Sequence, residues 1–150
     1  MSGSGEAATV HASAVRFHDK GVLIRGASGS GKSSLVLALL TCDPDRARLV
    51  ADDRVVLTAK GGQLVASVPD RLAGLLEVRG LGVVRRPFVS PVPIDLVVDL
   101  KPLAECPRLP DEEARSALVQ GVPVARLFLP TETPYGPDRV AAAIVALSGS

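Results

Sequence analysis

The sequence predicts an α/β domain, a mixed β-sheet with flanking helices arranged around a phosphate-binding loop. Three observations predict it. An apolar run at residues 21–25 (GVLIR) reads as a buried strand that ends at Gly26, and an apolar helical run follows at residues 33–41 (SSLVLALLT). Between them, Gly26-Ala27-Ser28-Gly29-Ser30-Gly31-Lys32-Ser33 matches G-x-x-x-x-G-K-[ST] in full. Strand and helix signals alternate at the start and strand signals dominate the middle, which is the pattern of a mixed sheet and not of a purely doubly wound one.

The elements follow in order. Residues 9–17 roughly alternate between apolar and polar and predict a first strand, ahead of the buried strand at 21–25. The helix at 33–41 is closed by Asp43-Pro44. Residues 48–51 (RLVA) form another buried strand. Residues 55–58 and 63–67 alternate about Gly61-Gly62, a hairpin signal. The β-branched run at 94–100 (IDLVVDL) predicts a core strand, and residues 124–129 a further one. Residues 137–147 open on a helix-compatible Pro and continue in Ala, Val, Ile and Leu, so they predict a C-terminal helix. Many of the 12 prolines lie between Pro87 and Pro137 and predict rigid loops there. The small-residue ends, 1–8 and 148–150, are expected to be flexible.

Composition bounds the function classes. The 150 residues make one domain's worth of chain, and with 47% hydrophobic residues a core forms without disulfides or metals. The 17 basic and 16 acidic residues leave a net charge of +1. That balance, with only 3% aromatics and no Trp, argues against nucleic-acid binding. Cys42 and Cys106 form no CxxC pair and no cluster with His11 or His18 at zinc-ligand spacing, so they read as small buried or idle thiols. The N-terminus lacks a signal-peptide pattern, and apolar runs such as 35–40 are far short of the ~20 residues a membrane span needs. The expectation is a cytoplasmic protein with no membrane partner.

The loop motif carries the chemistry. Its glycines let backbone amides turn inward around a polyphosphate, and the following helix aims its unpaired amides at the anion. Lys32 supplies a point charge to the β- and γ-phosphates, and the Ser33 hydroxyl can ligate Mg²⁺. Residues 26–34, through Ser34, form the candidate nucleotide-binding set. Downstream, Leu49-Val50-Ala51 ends in Asp52-Asp53, an apolar strand running into two carboxylates. One carboxylate at this place partners the metal of the loop's hydroxyl. A second allows a division of labour in which the other accepts a proton from an attacking hydroxyl. No Asn-Lys-x-Asp guanine-reading motif occurs, which speaks against a GTPase switch.

In combination these segments resemble the catalytic domain of HPr kinase/phosphorylase, the bacterial enzyme that phosphorylates a serine of the phosphocarrier protein HPr. The resemblance rests on GVLIRGASGSGKSSLVLALL, on RLVADDRV at 48–55, on LEVRGLGVV at 76–84 and on PIDLVVDL at 93–100. His11 stands upstream of the loop at the family's spacing for its active-site histidine. The third segment discriminates, since many unrelated proteins carry the loop. The resemblance implies the HPr kinase/phosphoenolpyruvate carboxykinase-like fold, ATP with Mg²⁺ or Mn²⁺ as cofactors, and HPr, ADP and inorganic phosphate as partners. It also implies a homo-oligomer, a hexamer in the family. By residue it implies that Lys32 and the loop amides hold the phosphates, and that Ser33, Asp53 and Glu77 hold the metal directly or through water. Asp52 would act as general base with His11 beside it, and Arg79 would neutralise the transferring phosphoryl group.

The resemblance covers the family's catalytic domain without its N-terminal domain, so the expectation is a short form similar to those of α-proteobacteria. Extra residues lie near 42–46, and Gly136-Pro137-Asp138-Arg139 replaces a Gly-Arg-Asn segment. Two other classes remain open at this level: a small-molecule kinase using the same loop, and a nucleotide-responsive binding module without transfer. Arg126 and Arg139 read as either substrate-side or surface arginines, with Arg139 favoured as surface, and His18 as a turn residue.

Overall fold

The structure, a computed structural model, describes residues 8–131 and 136–149. The chain runs β1 (Ala8–Val10), β2 (Ser13–Phe17), β3 (Lys20–Gly26), α1 (Lys32–Cys42), β4 (Ala47–Ala51), β5 (Val55–Lys60), β6 (Gln63–Ser67), β7 (Leu75–Val78), β8 (Gly82–Arg85), β9 (Val92–Pro93), β10 (Leu96–Lys101), β11 (Ser116–Val119), β12 (Val122–Pro130) and α2 (Gly136–Gly149). A six-stranded mixed sheet has the order β11-β12-β10-β3-β2-β4. In it β10 runs parallel to both β3 and β12, while β2 is antiparallel to β3 and β4. A four-stranded antiparallel sheet, β1-β5-β6-β9, and the β7-β8 hairpin complete the fold.

The central strands are apolar on both faces because both faces are covered. Val22, Ile24, Leu96 and Val98 pack against Leu35, Val36 and Leu39 of α1 and against Val140 and Ile144 of α2. Leu23 and Val97, one residue out of phase, pack against Val55, Leu57, Leu64 and Ala66 of the second sheet. Both helices therefore lie on one face, and the second sheet fills the place a helical layer would take on the other.

Several expectations are adjusted. The single strand expected over 9–17 is two strands in two different sheets, because the chain changes sheet at His11-Ala12. The core strand expected from Ile94 begins at Leu96: Ile94 N–H donates to Leu64 O and Asp95 N–H to Gly21 O, so these two residues turn between sheets before the parallel ladder starts. Ser148 and Gly149, expected to be flexible, close α2, and Ala8 opens β1; residues 1–7 and 150 lie outside the described residues. The β7-β8 hairpin and β11 had no strand signal of their own, since Gly74, Gly80 and Gly82 interrupt the first and the second spans four residues.

Candidate active site

β3 ends at Gly26, and the backbone turns tightly from there into α1. Ser30 N–H donates to Ala27 O at 3.0 Å and Leu35 N–H to Gly31 O at 2.9 Å, the first helical bond. Gly31 precedes α1 at φ 102°, a left-handed conformation that a side chain disfavours. A Cβ on Gly26 would stand 2.4 Å from Ser30 Oγ and 3.1 Å from Leu100 Cβ, so glycine is required there by contact. No side chain caps α1, and its first amides remain for a ligand. Ser30 Oγ is buried without a hydrogen-bond partner, a second unsatisfied group in the loop. Lys32 is 6% exposed and donates through Nζ to Gly26 O at 2.9 Å and Ala27 O at 3.1 Å. Burial pushes its pKa down, against the opposing pull of the Asp53 and Asp52 charges.

The two aspartates are divided by a single turn. Asp52, 6% exposed, accepts on Oδ1 from Ser33 Oγ at 2.7 Å and from Ser13 Oγ at 2.9 Å, and on Oδ2 from the Glu77 amide at 3.3 Å. Asp53 takes a left-handed φ of 72°, and its side chain is 64% exposed. Its Oδ1 lies 2.8 Å from His11 Nε2. One expectation is thereby corrected. His11 sits beside Asp53 and not beside Asp52. Asp52, expected as the base, is enclosed behind the loop hydroxyl, whereas Asp53, expected as a metal carboxylate, fronts open space. The reason is local: Asp52 still follows the inward course of β4, and the left-handed residue after it turns the next side chain outward.

A cleft of about 220 Å³ brings the chemistry together. The loop from Ser28 to Ser34 forms one wall, His11 and Asp53 the second, and Glu77 and Arg79 on and after β7 the third. Gly26, Ala27 and Ser30 support the loop without lining the cleft, and Asp52 stands behind Ser33. Among the described residues no three His, Cys, Asp or Glu side chains gather into an ion cage. Ser33, Asp53 and Glu77 bring oxygen donors alone to this cleft, the donor type that suits Mg²⁺.

Ser13 was not foreseen. Nothing distinguishes it from any polar residue in an alternating strand, yet it is buried and joins both aspartates: besides Asp52 it accepts the Asp53 N–H at 3.1 Å. Arg126, undecided from sequence, is tied to Asp99 by Nε at 2.7 Å and lies over the Phe128 ring at 4.2 Å. Arg25, one residue before the loop, gives Asp99 two further bonds at 2.8 and 2.9 Å. Burial alone would raise the Asp99 carboxyl, but the bonds and charge of Arg25, with those of Arg126, outweigh it and hold it below the ordinary carboxylate range. Arg139 is exposed, as expected of a surface residue. His18 occupies the β2–β3 turn at φ 50°, 2.7 Å from Asp43. Cys42 and Cys106 are free, the first exposed and the second half-buried, so neither is a buried core thiol; partial burial pushes both thiols up, which suits idle thiols. Among the described residues no helix is long and apolar enough to cross a membrane.

Known proteins share this fold. Over 93% of this chain and 95% of the other, the fold superposes on the Hpr(Ser) kinase/phosphatase of Coxiella burnetii with a TM-score of 0.77 and 26% identity. The HPr kinase/phosphorylase of Limosilactobacillus reuteri is 34% identical over 136 residues, covering 83% of this chain and 41% of that protein. That of Brevibacillus brevis is 43% identical over 77 residues, 51% of this chain and 24% of the relative. The chain thus spans less than half the length of these curated relatives. Residues 4–145 match the family model described as the HPr Serine kinase C-terminal domain, and the chain belongs to that family.

Proposed function

We propose that this domain is an ATP-dependent serine kinase for an HPr-like phosphocarrier protein, able also to run phosphorolysis with inorganic phosphate. The observation that carries the reading is the division of the aspartate pair: one carboxylate lies behind the loop hydroxyl and the other stands beside a histidine on the same cleft. A nucleotide-binding module without transfer has no use for the second.

In this reading Lys32 and the loop amides of residues 26–34 receive the ATP phosphates. Ser33 gives its proton to Asp52, so its lone pairs remain for a cation. Ser33, with Asp52 behind it and Glu77 across the cleft, would hold Mg²⁺ or Mn²⁺, which supplies charge neutralisation between the β- and γ-phosphates. Asp53 takes the proton of the acceptor serine hydroxyl as its oxygen bonds to the γ-phosphorus and the bond to ADP breaks. In the reverse direction Asp53 returns a proton to the departing serine oxygen. His11 orients Asp53 through their 2.8 Å contact. Arg79, at the cleft edge, meets charge on the phosphoryl group. The family resemblance further supports a single kinase domain acting in the cytoplasm as part of a homo-oligomer, a hexamer.

The test is transfer of labelled phosphate from ATP, with Mg²⁺, to serine of an HPr-like protein. Wild type labels it, and phosphoserine substrate with inorganic phosphate returns free serine. Asp53→Asn lowers kcat about 10²–10⁴-fold with nucleotide affinity kept. Asp52→Asn weakens metal-dependent nucleotide binding as well. An unlabelled acceptor with intact wild-type protein overturns the reading, and equal effects of the two variants overturn the division of roles.

A further inference from the structure

We propose that Ser13 is a positioning residue of the phosphoryl-transfer site, fixing Asp52 and Asp53 in their separate roles through one hydroxyl. The chemistry it serves rests on the kinase reading above, but the geometry stands independently. Ser13 is 0% exposed, between Ala12 and Ala14, which are also buried. A buried hydroxyl in such surroundings costs stability unless it is bonded. A serine has one proton and two lone pairs. The Asp53 N–H, at 3.1 Å, occupies a lone pair, so the single proton goes to Asp52 Oδ1 at 2.9 Å. The direction of the chain of bonds is thus set: Asp53 amide to Ser13, Ser13 to Asp52.

The topology explains why a side chain is needed there. The chain passes from the second sheet to the main one at residues 11–12, between β1 and β2, and returns at residues 52–54, between β4 and β5. Val10 pairs with Val55 on one side of this double crossing and Ala14 with Ala51 on the other. Between those pairs the backbone ladder is interrupted, and the pairing of β2 with β4 resumes with a register irregularity at Ala14/Val15. The Ser13 hydroxyl bridges the gap. It does so where Asp53 holds a left-handed backbone, a conformation that costs a non-glycine residue free energy and persists only when its surroundings enforce it. From the same short segment His11 holds the Asp53 carboxylate, so residues 11 and 13 fix the side chain and the backbone of one residue. Asp52 Oδ1 receives Ser13 and Ser33 together, which couples the placement of the loop hydroxyl to Ser13.

The experiment compares wild type, Ser13→Ala and Ser13→Thr. Titration of Mn²⁺ with a non-hydrolysable ATP analogue reads the site without turnover. Ser13→Ala should bind Mn²⁺–nucleotide about 10–100-fold more weakly, the usual cost of losing a group that orients a ligand, and Ser13→Thr should recover most of it. In the labelling assay kcat should fall with Ser13→Ala while KM for the acceptor protein stays near the wild-type value, and Thr should rescue it. Hydrogen exchange on wild type supplies a reading that needs no variant: the Asp53 amide should exchange far more slowly than an exposed turn amide. Wild-type Mn²⁺ affinity and kcat in Ser13→Ala, no rescue by Thr, or rapid Asp53 exchange in wild type overturns the proposal. Failure of the two readings is distinguishable. If wild type labels no acceptor but Ser13→Ala loses Mn²⁺ affinity, the kinase reading falls and Ser13 stands; if wild type and Ser13→Ala label it equally, Ser13 alone falls.

Discussion

Asp99→Asn should cost the fold about 3 kcal/mol at pH 7, a magnitude that follows from its surroundings. The Asp99 carboxylate is 4% exposed and accepts three bonds from guanidinium groups, at 2.8 and 2.9 Å from Arg25 and 2.7 Å from Arg126. Asparagine keeps the volume and one acceptor oxygen but turns an NH₂ toward a guanidinium donor. At least one charge-assisted bond is lost, each contributing about 1.5–3 kcal/mol, and the ionic attraction goes with it. Removing one partner of a buried ion pair costs about 3–5 kcal/mol. The lower end applies because the Arg25 and Arg126 side chains are 34% and 24% exposed and water partly resolvates them. For a domain of this size that is a fall in Tm of roughly 6–12 °C. Urea unfolding of both proteins across pH checks the size and the sign. Because the folded Asp99 titrates below its unfolded value, its stabilisation is fully present above the ordinary carboxylate range and is lost as pH falls through the lowered folded value. The gap between wild type and variant should therefore narrow below about pH 4. A gap under about 1 kcal/mol at pH 7 would place the pair among ordinary surface ion pairs and refute the reasoning, as would a gap that stays constant down to acid.

Other outcomes follow from the same geometry. Lys32→Met should abolish binding of a fluorescent ATP analogue yet melt no lower than wild type, because burial makes the ammonium unfavourable in the fold. By the same sign, wild-type stability should rise with pH as the folded Lys32 deprotonates ahead of the unfolded one, an arm absent from Lys32→Met. Gly26→Ala should leave circular dichroism unchanged but weaken nucleotide affinity, since its Cβ would meet Ser30 Oγ at 2.4 Å and displace the loop. Wild-type affinity in that variant would show the loop free to shift.

The loop and its flanks were legible because they are local. A strand, a glycine-rich turn and an apolar helix follow one another within residues 20–42, and each carries its own periodicity or φ requirement. The hairpin about Gly61-Gly62 was legible for the same reason. The strand read across residues 9–17 was not, because alternation continues through a change of sheet that only the partners β5 and β4 reveal. Arg126 could not be assigned from its neighbours in sequence, since its partner Asp99 lies 27 residues away on β10.

The amino-acid sequence by itself determined that a glycine-rich loop ending in Lys32-Ser33 stands between a buried strand and a buried helix, and that two carboxylates follow another strand. It also placed the segments at 48–55, 76–84 and 93–100 that carry the family resemblance. Only the tertiary structure decided where each carboxylate stands. Asp52 and Asp53 are chemically identical neighbours, and the difference between them is made by distant groups: Ser13, Ser33 and the Glu77 amide close around one, while a left-handed turn presents the other to His11 and the cleft. Residue type and spacing specify which groups are available; the crossing of two sheets specifies which of them meet.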